Sequence, residues 1–180
     1  MEFGVYSGNS ITKIANSFGK QQEVYGFDSF EGLPEDWGRP DGEYQKGAFN
    51  RNGDLPAVPK NVRLIKGWFD QVLPDFCEKH KGAPIRLLHV DCDIYSSTKC
   101  VFDALYNANM FQGDTLIVFD ELVNYPTFEN HEIKALYEFL VDHPEFSIEF
   151  IGVHGVYKRN PIKDDGYYNQ PVALRLIRSD

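Results

Sequence analysis

Two aspartates separated by a single cysteine follow an apolar run in LLHVDCDIYSST, residues 87–98. The run is typical of a buried strand, and a carboxylate at the end of such a strand is costly to desolvate unless it is paired, hydrogen-bonded or bound to a cation. Asp91 and Asp93 therefore indicate either chemistry at a strand end or a cap for the helix that follows. A second apolar run, TLIVF, also ends in acids, Asp120 and Glu121.

The two acidic strand ends are predicted to lie side by side, with backbones about 5 Å apart, because the strands that carry them are expected to be neighbours. The carboxylates of Asp91, Asp120 and Glu121 would then repel one another and raise one another's pKa unless a cation lies between them. Oxygen ligands favour a hard ion, with Mg²⁺ first and Ca²⁺ or Mn²⁺ next. Alternation along the strand turns Cys92 away from this site, which predicts that its thiol packs in the core.

Other strand ends carry residues suited to a nucleoside ligand. The turn FGVYSGNS brings glycines close to a ligand and aims helix N-terminal amides at it. It lacks the GxGxxG spacing of dinucleotide-binding turns, which argues against a dehydrogenase. Asp28 is placed either to accept hydrogen bonds from ribose hydroxyls or to serve as a turn residue ahead of SFEGLP. Trp68 and Phe69 are candidates to flank an adenine ring or to pack in the core.

Strand-like and helix-like segments alternate through most of the chain, which predicts a parallel sheet with helices on both faces. The strand-like segments are MEFGVYSG, EVYGFDSF, NVRLIKGWF, PIRLLHVDCD and GDTLIVFDE. Apolar residues recur at helical spacing in two of the helices, at Ile11, Ile14, Ala15 and Phe18 and at Ile133, Leu136, Tyr137 and Leu140. FSIEFIGVHG and QPVALRLIR have no helix between them and predict an antiparallel C-terminal hairpin. The expected fold is α/β, with a doubly wound and mostly parallel sheet.

The composition fits one globular domain over residues 1–180, with 42% hydrophobic and 25% charged residues. A formal charge of −9 provides no basic field for phosphates, which argues against a nucleic-acid or anionic-membrane surface. No apolar run approaches the length of a membrane span. The three cysteines lack CxxC spacing and no secretory leader is recognisable, so a reducing cytoplasm is expected and a disulfide framework or zinc site is not. A monomer and a homo-oligomer are both compatible with the sequence.

The motifs EFGVYSGNS, GFDSFEGLP, KGWFDQVLP, HVDCDIYSSTK and FDEL, in this order, resemble the macrocin O-methyltransferase (TylF-like) group of class I S-adenosylmethionine-dependent methyltransferases. The strand-end acids are more distantly similar to those of catechol O-methyltransferase and its caffeoyl-CoA relatives. The resemblance implies a seven-stranded, Rossmann-like methyltransferase sheet, S-adenosylmethionine as the cofactor, and Mg²⁺ or another hard divalent cation. The implied acceptor is a hydroxyl of a small molecule, with a sugar of a glycosylated natural product as one example.

The resemblance also implies roles for individual residues. The cofactor site would be lined by Glu2, Gly4, Tyr6, Gly8, Ser10, Asp28, Gly67, Trp68 and Asp91. The metal would be held by Asp91, Asp120 and Glu121. Catechol-type enzymes carry a lysine three residues after the first metal aspartate, and this position is Ile94 here. The general base therefore stays open between Asp91, Asp93 and His154, and a lone histidine is also commonly a structural residue.

Residues 31–60 are longer than an ordinary connection and rich in glycine, proline and aromatic residues, so they are a candidate lid over the acceptor, or else a disordered surface loop. NYPTFENHE, residues 124–132, is a second candidate wall. Relatives carry helices ahead of the first strand, whereas this sequence begins at the strand, so a methyltransferase-like domain that binds without turnover is one alternative. HVDCDIYSS also resembles the DxDx(T/V) motif of haloacid-dehalogenase-type phosphatases, although that family carries the motif on its first strand.

Overall fold

The computed structural model describes residues 1–39, 44–153 and 170–179. Its strands are β1 (Glu2–Phe3), β2 (Val24–Asp28), β3 (Val62–Lys66), β4 (Leu87–Val90), β5 (Thr115–Phe119), β6 (Phe146–Val153) and β7 (Val172–Arg178). They form one sheet in the order β3-β2-β1-β4-β5-β7-β6. The first five strands pair in parallel, whereas β7 is antiparallel to both β5 and β6. The predicted fold class is confirmed, including the antiparallel C-terminal pair.

Helices lie on both faces of the sheet. They are α1 (Asn9–Phe18), α2 (Phe69–Lys79), α3 (Tyr95–Asn107) and α4 (Glu132–Asp142), with a 3₁₀ turn at Phe128–Asn130. The helices α2, α3 and α4 pack side by side and share the main apolar core with strand residues such as Leu88 and Phe119. The helix α1 packs against β2 and β3 in a second, smaller cluster that contains Ile11 and Val24. This arrangement leaves the carboxyl ends of the parallel strands together at one edge.

The buried face of α4 differs from the predicted one. Tyr137, which the sequence placed on the core face, is 67% exposed, while Glu132 at the first position of the helix is fully buried beside Phe139. In α1, Phe18 of the predicted apolar stripe is 49% exposed. Helical spacing identifies an apolar stripe but does not fix which edge of it faces the sheet, and a tyrosine tolerates exposure because its hydroxyl can bond to water.

Within the described ranges, none of the helices is both long and apolar enough to cross a bilayer. His154, one of the candidates for the general base, lies outside the described residues.

Candidate active site

A cavity of about 620 Å³ lies at the edge of the sheet where the parallel strands have their carboxyl ends. Its size is within the range of small-molecule sites. Residues at the carboxyl ends of the five parallel strands line it: Gly4, Asp28, Gly67, Asp91 and Asp120. The strand order reverses between β1 and β4, and this switch point is where open α/β sheets bind their ligands.

Gly4 lies where the turn after β1 meets the acidic end of β4. Its φ of +88° lies in the left-handed region, and a Cβ at this position would overlap the carbonyl oxygen of Asp91. At the same level the backbone N–H of Asp91 donates to the carbonyl oxygen of Phe3 at 2.9 Å. Only a glycine therefore lets the turn after β1 pass directly against the acidic end of β4.

Asp28 holds the glycine turn through its carboxylate. Its Oδ2 accepts backbone N–H bonds from Val5 at 2.8 Å and Tyr6 at 2.7 Å, and its Oδ1 accepts one from Phe30 at 2.6 Å. A carboxylate can accept about four hydrogen bonds, so about one acceptor position remains for a ligand. Asp28 does line the cavity, but the ribose role predicted for it would be shared with this structural one.

Asp91, Asp93 and Glu121 form an acidic cluster in which one carboxylate oxygen of each lies within 4.8 Å of the other two. Asp120 lines the same cavity but is not part of this cluster. The predicted set had Asp120 in place of Asp93. The capping interpretation of Asp93 is not supported, because α3 follows Ile94 without a side-chain cap bond.

Burial and mutual repulsion raise the pKa values of the acidic cluster. Desolvation, followed by the charges of neighbouring carboxylates, raises the pKa of Asp91 to about 10 and that of Glu121 to about 7. The pKa of Asp93 lies well above its ordinary value for the same reasons. Carboxylates in this situation are stabilised in their charged form by a divalent cation. The spacing and the oxygen-only donors fit a hard ion such as Mg²⁺.

Arg39 brings a positive charge to the acidic cluster. Its guanidinium lies over the rings of Trp37 and Tyr125, 4.6 Å from each ring centroid, and the residue is only 8% exposed. The charge of Arg39 acts against the rise in the pKa of Asp93 and of Glu121. A buried cation beside the cluster offsets part of its mutual repulsion.

The predicted lid and the second wall pack against each other beside the acidic cluster. Leu33 and Trp37 of the lid share a buried apolar cluster with Tyr125 of the wall. The Thr127 hydroxyl of the wall donates to the carbonyl oxygen of Gly38 at 3.0 Å. Leu33 and Trp37 of the lid are therefore packed against the wall, whereas most of residues 44–60 are exposed or only partly buried.

The lid also reaches the glycine turn. The ring of Phe49 meets that of Tyr6 edge-on, with centroids 5.9 Å apart. Both rings line the cavity. One segment of the chain thus borders the glycine turn with Phe49 and the acidic cluster with Trp37 and Arg39.

The other predicted cofactor residues divide into two groups. Those that line the cavity are Tyr6, Gly67 and Trp68. Those that are absent from its described lining are Glu2, Gly8 and Ser10. Glu2 is fully buried and its Oε1 lies 2.9 Å from Nδ1 of His89, its direct partner in the register of β1 and β4. The structure therefore pairs Glu2 with His89 inside the sheet, away from the lining of the cavity.

Two residues beside the acidic cluster were not predicted from the sequence. Arg39 lies within the segment interpreted as a lid, where a single arginine gives no signal of burial. Glu132 opens α4, where an acidic residue is ordinarily an exposed first-turn residue. Its buried carboxyl accepts the backbone N–H of Cys92 at 3.1 Å through Oε1. Cys92 itself packs in the core as predicted, at 5% exposure.

Residues 1–122 match a family described as a methyltransferase domain. The chain belongs to this methyltransferase family. The match contains every residue that lines the cavity in the described part of the chain, from Gly4 to Glu121. It argues against the phosphatase alternative, since the acidic motif follows the fourth strand of a methyltransferase sheet. A search by sequence found no match among curated proteins.

Solved methyltransferase structures share this fold. The crystal structure of CalS11, a calicheamicin methyltransferase, superposes with a TM-score of 0.65 at 22% identity, over 97% of this chain and 70% of its own. An apo structure of CalS11, described as a TDP-rhamnose 3′-O-methyltransferase, gives 0.58 at 21% identity over 97% and 70%. The O-methyltransferase NovP gives 0.57 at 22% identity over 99% and 71%. At these identities the likeness establishes the fold.

Proposed function

We propose that this member of the methyltransferase family transfers a methyl group from S-adenosylmethionine to a hydroxyl of a small molecule, with a sugar as the acceptor, in a reaction that needs a divalent cation. One observation carries the proposal: the glycine turn at Gly4 lies directly against Asp91 of the acidic cluster. A donor on the turn and a hydroxyl at the cluster would be held side by side, which is the main requirement of a transfer reaction. The description of CalS11 suggests the sugar acceptor, and the sequence motifs suggest the TylF-like subfamily.

The cofactor half of the cavity has the features of a nucleoside site. Trp68 borders it at the start of α2, and Asp28 has about one acceptor position left for a ribose hydroxyl. Gly4 lets the turn lie against the end of β4 because it carries no Cβ. When bound, S-adenosylmethionine supplies the activated methyl group. The residues of this chain bind and orient it.

The metal half of the cavity is the acidic end of β4 and β5. Asp91 and Glu121 belong both to the predicted set and to the acidic cluster, and they hold the ion in this proposal. Asp120 lines the cavity, and its charge is the largest electrostatic influence on the pKa of Glu121, so it supplies the third carboxylate. When bound, a hard cation such as Mg²⁺ lowers the pKa of the acceptor hydroxyl and orients it.

Asp93 is the general base in this proposal. It lines the cavity, is 8% exposed, and has an oxygen within 4.8 Å of Asp91 and of Glu121. It therefore faces the space that an acceptor hydroxyl would share with those two acids. Burial raises its pKa, and a carboxylate with a raised pKa is a stronger base.

The test is transfer of labelled methyl from S-adenosylmethionine to free and nucleotide-linked sugars, with Mg²⁺ and with excess EDTA. We expect product with Mg²⁺, loss of product in EDTA, and recovery when Mg²⁺ is restored. Asp93→Asn should lose transfer but still bind S-adenosylhomocysteine in calorimetry. Asp114→Asn is the matched control, because Asp114 is exposed at the opposite end of β5. Transfer that persists in EDTA overturns the metal part, and a parent protein that does not bind S-adenosylhomocysteine overturns the whole proposal.

A further inference from the structure

Glu132 is a fully buried glutamate at the first position of α4. Its neighbours on the same helix face are apolar, among them Leu136 and Phe139. A carboxyl group is among the most costly groups to bury, and glutamates are almost never fully buried unless they are paired. A specific local contact must therefore account for its position.

That contact is a hydrogen bond to the backbone of the acidic loop. Oε1 of Glu132 accepts the N–H of Cys92 at 3.1 Å, and Cys92 is the residue between Asp91 and Asp93. Because the donor is a backbone amide, the bond fixes the backbone conformation at Cys92 rather than the position of one side chain. Glu132 is not among the residues that line the cavity, so it acts from behind the acidic cluster.

The loop it holds is a tight turn. Asp93 has a φ of +65°, in the left-handed region that a residue with a side chain adopts at a cost. The N–H of Ile94 donates back to the carbonyl oxygen of Cys92 at 2.7 Å. The Cys92 thiol contacts the carbonyl oxygen of Phe3 at 3.7 Å. The turn is thus fixed from β1 on one side and from α4 on the other.

The second oxygen of Glu132 places the residue close to the acidic cluster. Among the described residues, Oε2 of Glu132, Oε2 of Glu121 and the hydroxyl of Tyr125 are all buried without a hydrogen-bond partner. Desolvation raises the pKa of Tyr125, and the charges of Glu132 and Glu121 raise it further. Glu132, the last residue of the second wall, therefore lies close to both Tyr125 of that wall and the acidic loop.

We propose that Glu132 is a positioning residue for the acidic cluster: the reach of its Oε1 to the Cys92 amide sets the turn that brings Asp91 and Asp93 beside Glu121. The inference rests on the proposed function, since the use of Asp91 and Glu121 as cation ligands and of Asp93 as the general base belongs to that proposal. The length of the Glu132 side chain, here called its reach, decides whether the bond forms. The bond needs an oxygen at one distance from α4 and does not need a full charge.

Two conservative variants separate reach from charge. Glu132→Gln keeps an oxygen at the same reach and loses the charge, whereas Glu132→Asp keeps the charge and withdraws the oxygen by one methylene group. Mn²⁺ binding is measured by the electron paramagnetic resonance signal of the free ion, and S-adenosylhomocysteine binding by calorimetry. Asp142→Asn, at the exposed last position of α4, controls for a charge change in the same helix.

We expect Glu132→Gln to bind Mn²⁺ within about threefold of the parent and Glu132→Asp to bind it about tenfold or more weakly, the usual size of an effect transmitted through a supporting hydrogen bond. S-adenosylhomocysteine affinity should stay within about threefold in both, because the contact is on the metal side. Hydrogen exchange at the Cys92 amide should be slow in the parent and in Glu132→Gln and faster in Glu132→Asp, with no metal present.

Several outcomes would overturn the inference. Equal Mn²⁺ binding by Glu132→Asp and the parent rules out a need for reach, and weakened binding by Glu132→Gln shows that charge is what matters. Parallel loss of Mn²⁺ and S-adenosylhomocysteine indicates general damage to the fold. If Glu132→Asp does not fold, Glu132→Gln still decides, since it must keep both the protected amide and Mn²⁺. A parent that binds no Mn²⁺ overturns the metal part of the proposed function and the positioning role with it.

Discussion

Asp91→Asn should make the metal-free protein more stable. Burial and neighbouring acids raise the pKa of Asp91 from 3.8 to about 10, so the folded state holds a proton at pH 7 that the unfolded state has released. Between these two pKa values the folded state binds more protons, and stability must fall as pH rises. The cost at pH 7 is set by the distance from 3.8 to 7, which amounts to about 4 kcal/mol at 1.36 kcal/mol per pH unit. At pH 5 the same reasoning gives about 1.6 kcal/mol.

An asparagine removes this cost because it does not titrate. Because the asparagine amide must itself be desolvated, we expect a gain in stability of about half of that cost, ~2 kcal/mol at pH 7. For a domain of this size the gain should raise Tm by roughly 4–8 °C. The assay is urea and thermal unfolding in EDTA at pH 5, 7 and 8, with Asp114→Asn as the exposed control on the same sheet. The gain should shrink towards pH 5, and added Mn²⁺ should stabilise the parent but not Asp91→Asn. A variant less stable than the parent at pH 7, or an identical pH slope in both, refutes the reasoning.

Three further predictions follow from the site. Gly4→Ala should prevent folding, because its Cβ has no space, whereas Gly19→Ala at a similar φ meets nothing within 4 Å and should cost only about 1–2 kcal/mol in urea unfolding. Asp28→Asn should cost about 1–3 kcal/mol and weaken S-adenosylhomocysteine binding in calorimetry, since asparagine keeps one acceptor oxygen and its NH2 group cannot accept the backbone N–H bonds at the other position; an unchanged unfolding midpoint would contradict this. Asp120→Asn should weaken Mn²⁺ at least about tenfold and Asp93→Asn less than about threefold, and the reverse order would exchange their roles.

The sheet and its edge were predictable because they depend on repeated, local signals. Alternating strands and helices fix a parallel sheet, and the carboxyl ends of parallel strands must meet at one edge. Gly4, Asp28 and Gly67 could therefore be assigned to one cavity before any coordinate was known, as could Asp91 and Asp120. Each of these residues ends a strand or directly follows one, so its place depends on the topology alone.

The inner arrangement of the cluster could not be predicted in the same way. The inclusion of Asp93 depends on its left-handed φ of +65°, which nothing in the sequence DCD specifies. Glu2 has the position of a cofactor residue in the resembling motif, yet the register of β1 and β4 sets it opposite His89. Arg39 and Glu132 come from segments distant in sequence, and their burial is decided by tertiary packing that no local period reports.

Two segments distant in sequence meet at the backbone around Asp91 and Cys92. Gly4 lies against the Asp91 carbonyl on one side, and Glu132 accepts the Cys92 amide on the other. A shift of either segment would change the distance between the cofactor half and the acidic half of the cavity, and a misplacement of about 1 Å can cost about 100-fold in rate. The lid lines the cavity through residues such as Leu33 and Phe49 and makes neither of these contacts. Under the proposed function we therefore expect a change of acceptor to be tolerated in the lid, whereas substitutions of Gly4 or Glu132 should impair transfer to any acceptor.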